Sequence, residues 1–258
     1  MLRSQDREFS RGVALGLWPE YLIEHKFGLN DAVGASLADI RTEGGVYVWP
    51  LAATTLEVIS TDAGDTAAGL GARSIRLFGV DALLNAIDEL VVTNGTLASN
   101  PTSKSFFRFY RGIIEDAGVY ANSDTGSNLG TITIRSSGVG QTHGVIDITN
   151  RLGRTEIGAF TIPAGKVGLL NSFLLNVDSN FTARVFMWLR PRADVVSTPF
   201  SARHLRFALG GFTGHFAWKP KAPLLIDEKT DIWWSAIASG AGASISVDFE
   251  LEIEPKES

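Results

Sequence analysis

The side chains that most often carry enzyme chemistry are sparse in this chain. It has no cysteine, which excludes disulfides, thiolate metal ligands and cysteine nucleophiles. There is no G-x-S-x-G segment, and no H-E-x-x-H or other close metal-ligand spacing includes the histidines, which are His25, His143, His204 and His215. His204 and His215 flank a predicted hairpin and would approach each other there, but scattered histidines are more commonly surface or core residues. We therefore predict no enzymatic activity, no cofactor and no metal ion.

Carboxylate and glycine motifs indicate turns more than ligand sites. Asp62 and Asp65 lie in a glycine-rich loop, where they would bind Ca²⁺ together with backbone carbonyls. Their spacing matches no EF-hand, and a turn capped by an aspartate that accepts backbone N–H bonds explains the pattern more simply. The Gly69-Leu70-Gly71 segment precedes a strand pattern, and no Lys-Ser or Lys-Thr follows it. It therefore does not have the features of a phosphate-binding loop.

Two stretches combine arginines with aromatic rings, at residues 108–111 and 184–192. Such a combination can stack on nucleic-acid bases, but alternation along a strand produces the same residues. The formal net charge of -5 also offers no general excess of positive charge to neutralise phosphates. We do not expect a nucleic-acid partner.

Tryptophans favour the main alternative to a purely structural role, because exposed rings stack on sugars. The candidate rings are those of Trp188, Trp218, Trp233 and Trp234. Trp233 and Trp234 are neighbours in a predicted strand, so their rings face opposite sides and one of them is expected to point away from the core. An outward ring contacts a glycan or, more commonly, another subunit. Trp233 and Trp234 are therefore candidate interface residues.

The elements that must position these residues are short strands. From residue 46 onward, short apolar runs are separated by Gly, Asn, Asp, Ser and Pro, which is typical of strands and turns. The predicted strands cover residues 46–49, 55–60, 73–78, 89–93, 106–115, 131–135, 144–148, 156–162, 167–176, 182–189, 204–208, 214–218, 231–238 and 243–253. The last is the clearest, because apolar and polar residues alternate from Ile245 to Ile253.

Composition and strand pattern together predict an all-β fold. Hydrophobic residues make up 45% of the 258 residues, which is enough to bury a core, and the long amphipathic helices of a βαβ fold are missing. We predict an antiparallel, jelly-roll-like β-sandwich over residues 46–258. A boundary near residues 149–155 is conceivable, although one continuous sandwich is favoured over two domains.

Residues 1–45 lack a sustained period and are predicted to form an irregular N-terminal arm. Leu15, Trp18, Tyr21 and Leu22 are spaced to form one face of a short helix. This segment either packs on its own domain or docks on a neighbouring subunit, which makes Trp18 and Tyr21 candidate interface residues. The polar start shows no signal peptide, and no apolar run approaches the ~20 residues that span a bilayer. We therefore predict no membrane partner.

Several segments, taken in order, resemble a group of tailed-bacteriophage virion structural proteins. They are KFGLND at 26–31, GGVYVWP at 44–50, LEVIS at 56–60, DTAAGLGAR at 65–73, IRLFGVD at 75–81, FTIPAGK at 160–166 and DEKTDI at 227–232. The resemblance extends over most of the chain and implies a virion component, such as a capsid decoration, cement or head-fibre protein, or a tail component. It carries over no catalytic or binding residue.

The hypothesis that follows is a capsid decoration or cement protein, located in the virion and assembled in the host cytoplasm. Its partners would be the major capsid protein or other virion proteins and further copies of itself, with a trimer as one form of homo-oligomer. A glycan- or receptor-binding β-sandwich module, or a tail-associated structural protein, is the alternative.

Overall fold

The computed structural model describes residues 11–13, 15–122, 124–149, 153–178 and 180–256. Strands dominate these residues: β1 (Leu22–Val33), β2 (Ala38–Asp39), β3 (Leu56–Ser60), β4 (Ala72–Val80), β5 (Ala86–Val92), β6 (Arg108–Ala117), β7 (Ile132–Ser136), β8 (Thr142–Ile146), β9 (Ala159–Thr161), β10 (Lys166–Val177), β11 (Ala183–Arg190), β12 (His204–Phe212), β13 (Gly214–Trp218), β14 (Leu224–Ile226), β15 (Asp231–Ala238) and β16 (Ala243–Pro255). The all-β prediction is confirmed. Within the described residues no helix has the length and apolar character to cross a bilayer.

The described strands form four antiparallel sheets. Sheet I has the order β1-β16-β10-β13, with β14 also paired to β10, and sheet II has the order β12-β11-β15-β2, with β9 also paired to β15. Sheet III is β3-β7-β8, and sheet IV is β5-β4-β6. The antiparallel pairing was predicted, but the division into four sheets is propeller-like and is not clearly the jelly roll that the sequence suggested.

Two hydrophobic clusters connect the sheets in pairs. The larger one joins the inward side chains of sheets I and II, including Phe249 of β16, Phe173 of β10 and Trp234 of β15, and it also includes Val80 and Tyr110 of sheet IV. The smaller one joins sheets III and IV through residues such as Leu77 and Ile134. Alternate residues of β16 are buried from Ala243 to Ile253, as the alternation in the sequence predicts. Residues 56–157 thus contain the smaller cluster, inserted between the segments that build sheets I and II.

The first long strand lies where the sequence predicted an irregular arm. β1 pairs with β16 along its length, from Leu22 opposite Ile253 to Val33 opposite Ala243. From Ile23 to Asn30 its buried residues are polar or small, namely Glu24, Lys26, Gly28 and Asn30, whereas the larger apolar side chains Ile23, Phe27 and Leu29 are half-exposed. This inverted pattern explains why the strand was missed, because a buried strand face is normally recognised by its apolar residues. Residues 22–33 therefore belong to sheet I and not to an arm.

Gly28 has a physical role within KFGLND at 26–31, one of the segments that resemble tailed-phage virion proteins. A Cβ atom at this position would lie 2.3 Å from the backbone nitrogen of Gly158, so only glycine permits the close approach of the two chains. The residues before β1 do not form the predicted helix from Leu15 to Leu22. Residues 11–13 are helical, Leu22 begins β1, and residues 1–10 lie outside the described residues.

Residues 46–49, predicted as a strand, form a loop instead. Val46 and Val48 are exposed, whereas Tyr47 and Trp49 are half-buried against the body of the protein. The sequence does alternate, but the alternation arises because the segment lies across sheet II and every second side chain, Tyr47 and Trp49, is turned inward. The short strands β2 and β14 were not predicted, since two or three residues carry no measurable period.

Asp65 ties together the loops at the far end of sheets III and IV. Its fully buried carboxylate accepts hydrogen bonds from the Ser60 hydroxyl (2.6 Å) and from the backbone N–H groups of Ala72 (2.8 Å), Leu129 (2.9 Å) and Gly130 (2.9 Å). Asp65 therefore caps its own turn, as predicted, and also holds the distant loop at 129–130. In the described part of the chain no three His, Asp or Glu side chains lie close enough to hold one metal ion.

Replacing Asp65 by asparagine is expected to lower the free energy of unfolding by about 2 kcal/mol. The amide nitrogen would face donors that need an acceptor, and one buried N–H or O–H group would lose its partner. Urea denaturation followed by tryptophan fluorescence measures the change. Asp62→Asn is the matched control, because Asp62 is half-exposed and accepts one backbone N–H bond, from Gly64. Equal losses for the two variants would contradict the role assigned to Asp65.

Candidate functional site: an aromatic and arginine cleft

A cleft of about 260 Å³ opens on the outer side of sheet II. It lies between the loop that follows β2 and the segment that precedes β12. Its lining residues are Leu37, Asp39, Val46, Tyr47, Trp49, Arg190, Ser201, Arg203 and Trp233. A neighbouring pocket of about 210 Å³ shares Arg190 and Ser201 with it and adds Leu51, Arg108 and Phe200.

A row of four aromatic rings runs beside the cleft, and three of them, Tyr47, Trp49 and Trp233, line it. Trp188 of β11 and Trp233 of β15 are cross-strand partners, and their rings stack with centroids 6.4 Å apart. Trp49, from the loop, meets Trp233 edge-on at 5.4 Å, and Tyr47 meets Trp49 edge-on at 5.2 Å. The register of β11 and β15 therefore starts the row, and the loop at 46–49 extends it.

The two tryptophans proposed as interface residues on β15 are both buried. Their rings face opposite sides of the strand: Trp234 lies in the large core at 0% exposure, and Trp233 lies on the other side at 7% exposure. Trp233 points away from the core, as expected, but Trp49 covers it. Neither ring is offered to a partner on the surface of this chain.

Trp18 and Tyr21 lie elsewhere, in the segment before β1. Trp18 is 45% exposed and Tyr21 is half-buried. They precede the first strand of sheet I, whereas Trp233 and Trp234 belong to sheet II. The structure thus assigns the four candidate residues to separate regions, and an interface role for Trp18 and Tyr21 stays a prediction.

Asp231 is the electrostatic centre beneath the cleft. It is 0% exposed and accepts hydrogen bonds from the Thr161 hydroxyl (2.7 Å), from Arg108 Nε (3.2 Å) and from Arg190 Nε (3.0 Å). The two guanidinium groups also lie over the ring of Trp49, at 5.2 Å and 4.9 Å from its centroid. One carboxylate therefore anchors residues of β6, β9 and β11 and supports the loop ring that closes the cleft.

The two basic and aromatic stretches noted in the sequence are mainly engaged inside the chain. Arg108 and Arg190 bind Asp231, and Arg111 binds the carboxylate of Glu24. Arg184 and Arg192 of the second stretch are exposed. Arg203, which lies outside both stretches, is also exposed, and it lies 4.6 Å from the ring centroid of Trp188. Among the described residues no carboxylate forms a salt bridge with it. Arg203 is therefore the cation that the cleft presents to solvent.

Two titratable groups near the cleft have shifted pKa values. Burial raises the pKa of Asp39 to about 6, although the Tyr47 N–H donates a hydrogen bond to its carboxylate at 2.8 Å. Burial, followed by the charge of Arg41, lowers the pKa of His143 to about 4. The neutral His143 ring therefore bridges the Tyr47 hydroxyl and the Ser136 hydroxyl, each at 2.8 Å, and holds the loop ring in place.

His204 and His215 do not form the predicted hairpin. His204 begins β12, which pairs with β11 in sheet II, whereas His215 lies in β13, which pairs with β10 in sheet I. The chain changes sheets between the two strands, so the two histidines do not lie opposite each other in one sheet. Sequence proximity indicated a hairpin, and the packing of two larger sheets prevented it.

Glu156 provides a pH test of the packing near the cleft. Burial raises its pKa to about 7, and one of its carboxylate oxygens has no hydrogen-bond partner among the described residues. The folded chain therefore binds more protons than the unfolded chain between about pH 4.5 and pH 7, and its free energy of unfolding falls as the pH rises through that window. Glutamine cannot ionise, so Glu156→Gln should not show this loss. The free energy of unfolding of the variant minus that of wild type should therefore be about 2 kcal/mol larger at pH 8 than at pH 5.

Urea denaturation of both chains at a series of pH values measures this difference. Asp39 and His143 are present in both chains, so their own titrations cancel. The exposed Glu20 gives the control variant, Glu20→Gln, which should leave the pH profile unchanged. A pH-independent difference between Glu156→Gln and wild type would show that Glu156 ionises as freely in the folded chain as in the unfolded one.

The cleft offers groups that suit binding more than bond cleavage. The Asp39 carboxylate accepts hydrogen bonds, the Arg203 guanidinium donates them, and the rings of Tyr47 and Trp49 provide an apolar wall. The sequence had indicated Trp188 and Trp233 as candidate rings, and Arg108 and Arg190 only as parts of two basic and aromatic stretches. It had not indicated Tyr47, Trp49 or Arg203. These residues are brought together only by the cross-strand register and by the path of the loop, and no local sequence motif predicts the register or the path.

Comparison with known proteins adds little to this picture. No family model matches the chain, and no curated protein matches it. Two similar solved structures are the T13 particle of infectious bursal disease virus, at 11% identity and a TM-score of 0.23, and the VP2 subviral particle of the same virus, at 11% and 0.24. The matches cover 91% and 90% of this chain and 74% and 72% of those chains. At these TM-scores the likeness supports no conclusion about function.

Proposed function

We propose that this chain is a structural component of a phage virion, a decoration or cement protein that stabilises the capsid shell through contacts between subunits. It works by burying surface against its neighbours and not by turning over a substrate. Support comes from the ordered sequence segments that resemble tailed-phage virion proteins and from one structural feature. That feature is an apolar patch held on a rigid support, which we call the tip patch.

The tip patch consists of Leu70, Val119, Tyr120 and Leu129, all of them exposed. Tyr120 is 92% exposed, which is unusual for an aromatic side chain in a soluble monomer. The loops that carry the patch are joined by backbone hydrogen bonds from Gly71 to Gly64 (3.0 Å) and from Gly118 to Gly71 (2.8 Å). The Asp65 carboxylate fixes the loop at 129–130 to the same support. A preformed apolar surface binds a partner with a small loss of conformational entropy.

Reconstitution on particles tests the proposal. Particles assembled without this chain are mixed with the purified protein and separated by density-gradient centrifugation. Wild type should co-sediment, whereas the double variant Leu70→Ser/Tyr120→Ser should not. Leu83→Ser is the matched control, because Leu83 is equally exposed but lies outside the patch. Absence of the chain from purified virions by mass spectrometry would overturn the proposal.

The same assay tests the predicted N-terminal attachment. Removing residues 1–45 would also remove β1 and β2, so the informative deletion is residues 1–18. If these residues dock on a neighbouring subunit, the deletion variant should keep the wild-type circular dichroism spectrum and lose co-sedimentation. Unchanged co-sedimentation would reject the docking role.

The cleft supports a second candidate function, the binding of a glycan. Asp39 and Arg203 are suited to hydrogen-bond hydroxyl groups beside the rings of Tyr47 and Trp49. A glycan array probed with the full chain should show binding that is lost in Arg203→Ala and kept in Arg206→Ala, an exposed arginine that does not line the cleft. No binding to any glycan by wild type would overturn this candidate and leave the virion proposal in place.

A further inference from the structure

The outer face of sheet I carries an acidic band. β16 lies in the interior of the sheet, and its outward side chains include Asp248, Glu250 and Glu252, all half-exposed. His25 of β1 forms an ion pair with Asp248 at 2.9 Å, and Asn171 donates a hydrogen bond to Glu250 at 3.4 Å. The band therefore holds three carboxylates beside one histidine.

An apolar band runs beside the acidic one. The register of β10 with β16 places Leu174 next to Asp248 and Leu169 next to Glu252 on the same outward face. The register of β10 with β14 then places Leu225 beside Leu169. Leu174 and Leu225 are exposed and Leu169 is half-exposed, although the inner face of this sheet is well packed.

The far edge of the same face is basic. β13 is the edge strand on that side, and His215 points outward from it, with Lys219 and Lys221 in the segment that follows. All three residues are exposed. Residues 195–226, which include this edge, contain no aspartate or glutamate, in a chain whose net charge is -5. The positive charge is therefore concentrated and has no acidic neighbour in sequence.

The order of the bands makes the face self-complementary. Adjacent strands lie about 4.8 Å apart, so the acidic band on β16 and the basic edge at β13 are about 10 Å apart, with the apolar band of β10 between them. A two-fold axis running along β10 between two facing copies places β16 of each copy over β13 of the other. Each acidic band then meets the partner's edge formed by β13 and β14, with Glu250 level with Lys219, and the leucines of β10 meet at the centre.

We propose that the outer face of sheet I is a two-fold interface between two copies of this chain. The inference deepens the proposed virion role, on which it rests for its biological purpose, by naming the surface through which the protein associates with itself. Charge complementarity favours a second copy over another partner. Any partner would have to present a basic, an apolar and an acidic band opposite the acidic, apolar and basic bands of this face, and a second copy does so by symmetry.

Two charge-reversal variants test the interface by sedimentation velocity at low ionic strength. Glu250→Lys/Glu252→Lys makes two of the three acidic-band residues basic, and Lys219→Glu/Lys221→Glu makes both lysines of the basic edge acidic. The wild type should sediment as a dimer, and each variant alone should dissociate with a Kd raised roughly tenfold or more. A one-to-one mixture of the two variants should restore the dimer, because each face again meets the opposite charge.

The matched control is Arg184→Glu/Arg206→Glu, which reverses two exposed arginines of sheet II. It should dimerise as the wild type does. Circular dichroism melting of each variant checks that the fold is kept. A monomeric wild type at all concentrations, or a dimer that neither variant weakens, would overturn the interface. Co-sedimentation with particles is measured separately, so a failed dimer test is distinguishable from a failed virion role.

Discussion

Replacing Asp231 by asparagine is expected to lower the free energy of unfolding by about 3–5 kcal/mol. The carboxylate is completely buried and accepts hydrogen bonds from Arg108, Arg190 and Thr161. Asparagine keeps the volume but removes the negative charge, so the guanidinium group of Arg108, itself almost fully buried, remains without a counter-charge. Urea denaturation monitored by circular dichroism measures the loss.

The control for Asp231 is an exposed ion pair from the same part of the chain. Asp194 and Lys229 form a salt bridge at 3.0 Å with both side chains about one-third exposed. Asp194→Asn should change the free energy of unfolding by less than about 1 kcal/mol. If Asp231→Asn lowered the free energy of unfolding by no more than Asp194→Asn, the buried Asp231 cluster would contribute no more than a surface ion pair. The structure of the cleft would then not depend on Asp231.

Replacing Trp234 by alanine is expected to lower the free energy of unfolding by about 3–5 kcal/mol. The ring is fully buried and packs against Phe173 at 4.7 Å and Phe249 at 6.2 Å, between sheets I and II. Removing it leaves a cavity between two sheets that are each held by their own hydrogen bonds, which limits collapse around the gap. Thermal or urea denaturation measures the effect.

Two comparisons make the Trp234 result specific. Trp18→Ala should lower the free energy of unfolding by less than about 1 kcal/mol, since Trp18 is partly exposed before the first strand. Trp234→Phe should lower it less than Trp234→Ala, because phenylalanine fills much of the volume that alanine leaves empty. Both substitutions remove the indole N–H, which has no hydrogen-bond partner among the described residues. Equal losses for the two substitutions at Trp234 would contradict cavity formation as the cause.

The Trp234 prediction also changes how a glycan role is tested. The sequence predicted that one of the rings of Trp233 and Trp234 points outward, so alanine substitution at these positions would be the direct test of glycan binding. Both rings are buried, so either substitution would reduce binding by perturbing the fold. Arg203→Ala is the sharper variant, because Arg203 is exposed at the cleft and lies outside the core.

Much of the strand content was predictable because it depends on local patterns. β16 shows apolar and polar residues in strict alternation, and alternation is a direct consequence of a strand with one buried face. β11 and β15 were placed within one or two residues of their observed ends, since polar and glycine-rich segments separate them from their neighbours. The absence of long helices followed from the same reasoning.

Other features were not predictable because they depend on contacts between distant residues. β1 buries Glu24, Lys26 and Asn30, and these residues are accommodated only because Arg111, Tyr110 and Asp39 lie opposite them. The loop at 46–49 alternates as a strand does, yet Tyr47 and Trp49 are turned inward by rings that come from elsewhere in the chain.

The sequence by itself determined that this protein is built of antiparallel strands with a large apolar core, because periodicity and turn residues act over a few positions. The tertiary structure alone decided how those strands divide into four sheets, which tryptophans are covered, and where the charges gather. The physical reason is register. Asp231 meets Arg190, and Leu174 lies between the acidic band and the basic edge of sheet I, only after sheets have formed from segments that are far apart in the chain.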